Sequence, residues 1–130
     1  MGVRFPSVST TTILGTLPAN GAETIIATTP PLNLPLDFAQ VILLWYFLGN
    51  SGASTTALNF ILRRGTTVAG TLINVISGAL VTAASGVRFS GCYVDTPGAV
   101  AGQQYSLSES GVGTTGVGIS NDVCLIAFAL

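Results

Sequence analysis

An uninterrupted run of eight apolar residues, 41–48, is the feature that most constrains the fold of this chain. It is far shorter than the roughly 18–20 apolar residues that a membrane-spanning helix needs, so no membrane partner is expected. In a strand, successive side chains point to opposite sides, and a strand with two apolar sides must be covered on both. The two sets are Val41, Leu43, Trp45 and Phe47 on one face and Ile42, Leu44, Tyr46 and Leu48 on the other.

Short runs rich in Thr, Val, Ile and aromatic residues continue along the chain and alternate with Gly, Pro, Asn and Ser clusters. That pattern is typical of strands and turns. No window shows apolar residues at helical spacing with caps at both ends. We therefore predict an all-β, single-domain protein: a jelly-roll-like antiparallel β-sandwich of about eight strands over residues 11–130, preceded by an extended arm over residues 1–10.

Turn signals separate the predicted strands. Asn20-Gly21 is a strong hairpin signal, and Pro97-Gly98 suits a type II turn, which needs positive φ at its third position. The prolines within 30–35 predict an extended, unpaired connection, because proline cannot donate to a strand ladder. The predicted strands are 11–17, 23–28, 40–48, 57–64, 68–76, 87–94, 103–109 and 123–130, with 77–86 left open as a strand or a short helix.

Charged residues make up only 7% of the chain, against about 25% in a typical soluble domain. The simplest physical explanation is that other subunits cover much of a surface that would otherwise be sticky. The net charge of -1 provides no basic patch, which argues against nucleic acid as a partner.

The second apolar face of 41–48 therefore predicts a contact with a neighbouring subunit, although a covering loop such as 30–36 is an alternative. Arg63 and Arg64 either reach solvent or a carboxylate of their own chain, or bridge subunits, since Arg is favoured in interface ion pairs. The candidate interface residues are Ile42, Leu44, Trp45, Tyr46, Phe47, Leu48, Arg63, Arg64 and Phe128.

Catalytic chemistry finds little support in the sequence. The chain has no His and no Lys, so one chain cannot assemble a Ser-His or Cys-His pair or supply a Lys base. Glu109 and Asp122 could meet as a carboxylate pair, but solvated positions beside turns are expected for both. Residues 111–116 match G-x-G-x-x-G, yet no helix is predicted to follow, so the match predicts no dinucleotide site. No enzymatic activity and no cofactor are expected.

The two cysteines, Cys92 and Cys124, are expected to be buried thiols, because cysteine in a strand commonly behaves as a small apolar residue. A disulfide would need their Cα atoms within about 7 Å, which the sequence leaves open. Two cysteines without histidine cannot build a tetrahedral zinc site in one chain, so no metal is expected.

Three segments resemble bacteriophage virion proteins: residues 59–73, Tyr93 to Gly98 followed by Tyr105-Ser106-Leu107, and the apolar final strand. Those proteins look like small, trimeric jelly-roll domains of the tumour-necrosis-factor and C1q type, found as capsid decoration proteins or tail-fibre tips. The resemblance covers roughly residues 20–130. It implies a homotrimer, a location on the capsid surface of a virion, and the major capsid protein as a partner.

The expected function is that of a non-enzymatic capsid decoration or cement protein, which trimerises and binds and stabilises the assembled shell. The alternative is a receptor- or glycan-binding head of a tail fibre or spike. Such a head would carry exposed aromatic residues in loops, whereas Tyr and Trp here fall inside predicted strands.

Overall fold

Every regular element of the computed structural model is a β-strand within the residues that it describes, which are 7–11, 15–16, 22–34, 40–51, 56–81, 86–112 and 117–130. The strands are β1 (Ser7–Thr11), β2 (Gly15–Thr16), β3 (Thr24–Thr28), β4 (Leu32–Leu34), β5 (Val41–Ser51), β6 (Thr56–Arg64), β7 (Thr71–Val81), β8 (Gly86–Asp95), β9 (Val100–Gln103), β10 (Tyr105–Val112) and β11 (Val117–Ala129).

Eight of these strands form two facing antiparallel layers. The first sheet has the order β1-β11-β5-β8, with the two-residue β2 also paired to β11, and the second has the order β3-β10-β6-β7. Strands β4 and β9 form a separate pair. Along the chain the eight long strands cross repeatedly from one sheet to the other, with only β6 and β7 as neighbours in one sheet. This order is that of a jelly roll, so the predicted fold class is confirmed.

The core lies between the two sheets and is centred on aromatic side chains. Trp45 and Phe47 of β5 point inward and pack on Phe60 of β6, with ring centroids 4.8 and 5.0 Å apart. Phe89 of β8 packs on the same Phe60 ring at 5.5 Å. Aromatic pairs of this kind contribute about 0.5–1.5 kcal/mol each beyond the burial of their surface. Phe60 therefore joins the two sheets at the middle of the sandwich.

Strand β7 begins later and ends later than predicted. Residues 65–70 form the loop before it, in which Gly65 has a φ of 104° and the Gly70 amide donates a 2.9 Å hydrogen bond to the Thr67 carbonyl. Val68 thus lies in the loop, and the predicted start of that strand is wrong by three residues. Strand β7 continues to Val81, so the first part of 77–86 is strand; residues 82–85 lie outside the described residues.

The proline-rich connection was predicted to be unpaired, and for 32–34 this is wrong. Leu32 pairs with Gln103 and Leu34 with Val100. Pairing is possible because the prolines flank this three-residue strand and leave its own amides free to bond. Leu34 is buried in the core and Leu32 packs against it.

The predicted arm, 1–10, overlaps β1, because residues 7–10 pair with β11. Residues 1–6 and the predicted Asn20-Gly21 turn lie outside the described residues. At the Pro97-Gly98 turn, Gly98 has a φ of 78°, the left-handed value that the third position of a type II turn requires.

Gly91 of β8 is directly opposite Trp45 of β5, and a Cβ at this position would lie only 2.5–2.7 Å from three atoms of the indole ring. Because the ring is held in the core, Gly91→Ala should lower the free energy of unfolding by about 1–3 kcal/mol, as overpacking does elsewhere. Urea unfolding followed by Trp fluorescence measures this. Ser90→Ala, at the exposed neighbouring position, should stay within about 0.5 kcal/mol of the parent; equal stability of both variants would contradict the packing described.

Candidate subunit interface

The side of the first sheet that faces away from the core forms a largely apolar surface, with Arg88 and Ser90 at one end of the edge strand. The pairing of the strands brings its side chains together: Leu44 of β5 lies between Ile126 of β11 and Cys92 of β8. We call it the outer face. Its members are Ile42, Leu44, Tyr46 and Leu48 on β5, Cys124, Ile126 and Phe128 on β11, and Arg88, Ser90, Cys92 and Val94 on β8.

The outer face is open to solvent at its centre and at its edge. Leu44 is 37% exposed and Val94 is 47% exposed. A shallow depression of about 110 Å³ lies beside Leu44 and is lined mainly by apolar atoms. Its lining residues are Leu44, Trp45, Tyr46, Cys124 and Ile126. An antiparallel sheet that faces water normally carries polar residues on that side, so this surface has the composition of one that is covered in use.

The residues predicted from 41–48 divide between two environments. Trp45 and Phe47, 4% and 0% exposed, belong to the core of the subunit. Ile42, Leu44, Tyr46 and Leu48 point to the outer face, as does Phe128, which pairs with Ile42. The described part of the alternative cover, 30–34, contributes Leu34 to the core.

The prediction from sequence did not include Ile126, Cys92, Cys124 or Val94. Along 123–130, successive side chains point to opposite sides of the strand, and this alternation could have identified Ile126 and Cys124. The two residues of β8 could be found only from the pairing of β5 with β8, which joins segments that are distant in the sequence.

Arg64 pairs with a carboxylate of its own chain. Its Nε and Nη2 donate to Oδ2 and Oδ1 of Asp95 at 2.8 and 2.7 Å, and the hydroxyl of Tyr105 donates to the same Oδ2 at 2.9 Å. Burial raises the pKa of the Asp95 carboxyl, but the hydrogen bonds from Arg64 and Tyr105 outweigh it, so the net pKa lies below its ordinary value. The cluster closes one end of the sandwich, where β8, β6 and β10 meet.

Arg63 points to the other side of β6 and forms a second bidentate pair. Its Nε and Nη2 donate to the two carboxylate oxygens of Glu23, each at 2.8 Å, and its Nη1 donates to the Gly70 carbonyl at 3.0 Å. The hydroxyl of Ser108 also donates to Glu23. Hydrogen bonds from Arg63 hold the pKa of Glu23 below its ordinary value. Within the subunit, both arginines are thus ion-paired with carboxylates of their own chain.

Glu109 occupies a very different environment from its predicted solvated position. Its side chain is 0% exposed on β10, and neither carboxyl oxygen has a hydrogen-bond partner among the described residues. Burial raises the pKa of this carboxyl to about 7. The position was mispredicted because proximity to a turn suggested solvent, whereas alternation with Tyr105 and Leu107 places Glu109 on the inward side of β10. The side chain of Asp122 lies outside the described residues.

Neither cysteine forms a disulfide. Cys92 is exposed and Cys124 is half-buried, so the expectation of buried thiols is wrong for Cys92. Cys92 is exposed because β8 is the edge strand of its sheet and this residue points to the outer face.

The described residues contain no cluster of three or more His, Cys, Asp or Glu side chains that could hold a metal ion. Within the same residues, no helix has the length and apolarity needed to cross a membrane.

Comparisons with known proteins identify the fold but no family. No protein-family model and no curated protein matches this sequence. A chain in the structure of infectious bursal disease virus, Gx strain, superposes with a TM-score of 0.61 at 12% identity, over 98% of this protein and 34% of the viral chain. A chain of the Gt strain superposes with a TM-score of 0.57 at 9% identity, over 95% of this protein and 37% of the viral chain. The protein thus spans about a third of the viral chains whose fold it shares.

Removal of the Asp95 charge tests the Arg64 cluster. Asp95→Asn should lower the free energy of unfolding by about 2–4 kcal/mol at pH 7, because it removes the negative charge that pairs with Arg64 and leaves one acceptor oxygen for the three groups that now donate to two. The urea midpoint measures the loss. Arg88→Ala, which removes an exposed charge from the same strand, should cost less than about 0.5 kcal/mol; a loss as large as that of Asp95→Asn would contradict the assignment.

Glu109 should make stability depend on pH in the direction opposite to an ordinary paired carboxylate. Its pKa is higher in the folded state than in the unfolded state, so stability is greatest below about pH 4.5 and falls as pH rises through about 7. The contribution of this residue is roughly 3 kcal/mol at most. Glu109→Gln should be more stable than the parent at pH 8 and should lose most of this slope.

Thermal or urea unfolding at a series of pH values measures both effects. Glu23→Gln is the contrasting variant, because the pKa of Glu23 is lowered on folding and its stabilisation is present at neutral pH and lost in acid. If Glu109→Gln destabilised the protein at pH 8, the carboxylate would have a partner that stabilises its charge.

Proposed function

We propose that this protein is a non-enzymatic structural subunit of a viral shell, which assembles with other copies of itself through the outer face. The observation that carries the proposal is an apolar, solvent-open sheet face on a jelly roll. The shared fold with chains of a virus structure supports a viral setting. The jelly roll is a fold that recurs in viral capsid domains.

Association through the outer face explains the unusual composition. A mean hydropathy of +0.68 with 7% charged residues leaves few polar groups to cover a surface. Burial of Leu44, Ile126 and Phe128 against another copy removes apolar area from water at about 25 cal/mol per Å². The aliphatic and aromatic side chains of this face are also the kind that interface centres contain.

More specifically, we propose that the protein forms a homotrimer on the capsid surface of a bacteriophage virion. This trimer binds the major capsid protein and reinforces the assembled shell. The support for this form is the sequence resemblance to phage virion proteins over residues 59–73, 93–98 and the last strand. A receptor- or glycan-binding head is less well supported, because each aromatic residue that the structure describes lies in a strand.

Cryo-electron microscopy of native particles that carry the protein tests its location. Density for three copies around a threefold axis on the outer shell is expected. Density only at the tip of a fibre would overturn the decoration role, and absence from purified particles would overturn the viral role.

A charge at the centre of the outer face should prevent association. Leu44→Asp should convert the trimer to a monomer, with association weakened about a thousandfold, because an unpaired carboxylate in a dry interface costs on the order of 4 kcal/mol. Light scattering coupled to size-exclusion chromatography measures the mass, and circular dichroism checks that the variant is folded.

Leu72→Asp is the matched control, because Leu72 is 52% exposed on the second sheet and lies away from the outer face. It should leave the trimer intact. A parent protein that is monomeric at tens of micromolar would contradict self-association, and a folded Leu44→Asp trimer would place the interface elsewhere.

A further inference from the structure

We propose that the start of β3, residues 23–25, is a pH-operated flap, which opens away from β10 when Glu109 loses its proton and lets water reach the carboxylate. The flap belongs to a single subunit and does not depend on the proposed assembly. The observation behind it is the position of Glu109, which is one strand away from the edge of the second sheet. Its side chain is fully buried and has no hydrogen-bond partner within the part of the chain that the structure describes.

The surroundings of Glu109 favour its neutral form. The inward side chains of the strands around it are almost all apolar: Ile26 and Ala27 on β3, Leu58, Phe60 and Leu62 on β6, Val123 and Leu125 on β11, and Tyr105 and Leu107 on β10. Thr24 and Phe60 are its two cross-strand neighbours. Burial raises the pKa of the Glu109 carboxyl to about 7, so the proton leaves near neutral pH.

Three other titratable groups belong to these strands and their flanks. The Tyr105 hydroxyl is on the same side of β10 but donates to Asp95 at the far end of the strand. Glu23 is on the opposite side of the sheet, where Arg63 and Ser108 bind it. Asp122 is on β11, with its side chain outside the described residues. No described cation faces Glu109, so ionisation leaves a buried charge without compensation.

The pairing of β3 with β10 is divided into two halves. Residues 27–28 pair with 106–107 in one register, and residues 24–25 pair with 108–109 in a register that is shifted by one. Ile26, between the two halves, has no partner residue on β10, and its side chain is buried in the core. A bulge of this kind interrupts the ladder locally and bends the strand. The first half can therefore move while the second half stays paired.

The two ends of β3 are held differently. At the far end, the Thr29 amide donates to the Tyr105 carbonyl at 2.9 Å, the Tyr105 amide donates to the Thr29 hydroxyl at 3.0 Å, and the Gln104 side chain donates to the Thr29 carbonyl at 3.0 Å. At the near end, the Glu23 side chain ties the flap to Arg63 and Ser108. These ties make Thr29 the fixed end and residues 23–25 the end that is free to open.

Opening on the β3 side disrupts less of the fold than opening on the other side of β10. Strand β6 pairs with β10 over eight consecutive residues, 57–64, and its Phe60 belongs to the aromatic centre of the core. The flap has two ladder pairs and one ion pair. Local openings of this size cost less free energy than unfolding of the whole domain.

Proton loss shifts the flap toward its open form. The Glu109 carboxyl keeps its proton up to about pH 7 when the flap is closed, but only up to its ordinary value of 4.5 once water reaches it. The closed form is therefore most favoured below about pH 4.5, and this advantage is lost as pH rises to about 7. In the open form the backbone of 108–109 becomes the edge of the second sheet, where another strand can pair with it.

Hydrogen exchange followed by mass spectrometry tests the flap in the full chain, with labelling times scaled for the effect of pH on the intrinsic exchange rate. The opening constant of peptides that cover 23–26 should rise roughly 50- to 100-fold between pH 5 and pH 8. At each pH these amides should exchange faster than those of 57–62 on β6. Exchange at 23–26 that does not depend on pH in the parent protein would overturn the proposal.

Three variants identify the group that operates the flap. Glu109→Gln should remove the pH dependence at 23–26 while keeping the flap closed. Glu23→Gln should raise the opening constant by a similar factor at pH 5 and pH 8, because it weakens the tie to Arg63 without changing the buried carboxyl. Asp122→Asn should behave as the parent does, and loss of the pH dependence in this variant would overturn the assignment to Glu109. Equal protection of 23–26 and 57–62 at every pH would also overturn the proposal, because only unfolding of the whole subunit would then expose the carboxyl.

Discussion

Strand β5 is apolar on both sides, and the organisation of the protein follows from what covers each of them. The inner side is buried within the subunit, where Trp45 and Phe47 pack on Phe60. Because both sides are apolar, a shift of one residue would exchange one apolar set for another, so hydrophobicity alone does not fix the register. Shape favours the observed register, since a Cβ at Gly91 of β8 would lie within 2.7 Å of the Trp45 indole that packs opposite it. The other side remains exposed, as a surface on which another subunit can bind.

Sequence patterns were sufficient for the fold class and for the approximate positions of most strands, because alternation and turn residues are local signals. They were insufficient for deciding which side of β5 faces inward, and Trp45 and Phe47 were placed in the candidate interface for that reason. The partners of Arg63 and Arg64 lie 40 and 31 residues away in the sequence. Such pairs depend on which strands become neighbours, and no local pattern contains that information.

The ion pairs give the few charges of this protein a structural role. Glu23, Arg63, Arg64 and Asp95 neutralise one another in two bidentate pairs, one on each side of β6. What remains on the described surface is almost free of charge, with Arg88 as an exposed exception. Contacts made by such a surface depend on shape and apolar area more than on long-range attraction, and they should respond weakly to salt.

The position of β11 has a consequence for biosynthesis. The last strand of the domain lies between β1 and β5, and the Leu130 amide still bonds the Gln40 carbonyl at its end. While the ribosome is still making this strand, β1 and β5 have no neighbour on that side, and both expose unpaired backbone groups. The first sheet can close only after β11 has been synthesised, and folding should be slow, as expected for a topology of distant contacts. A nascent subunit would therefore gain from a chaperone that shields β5 during this interval.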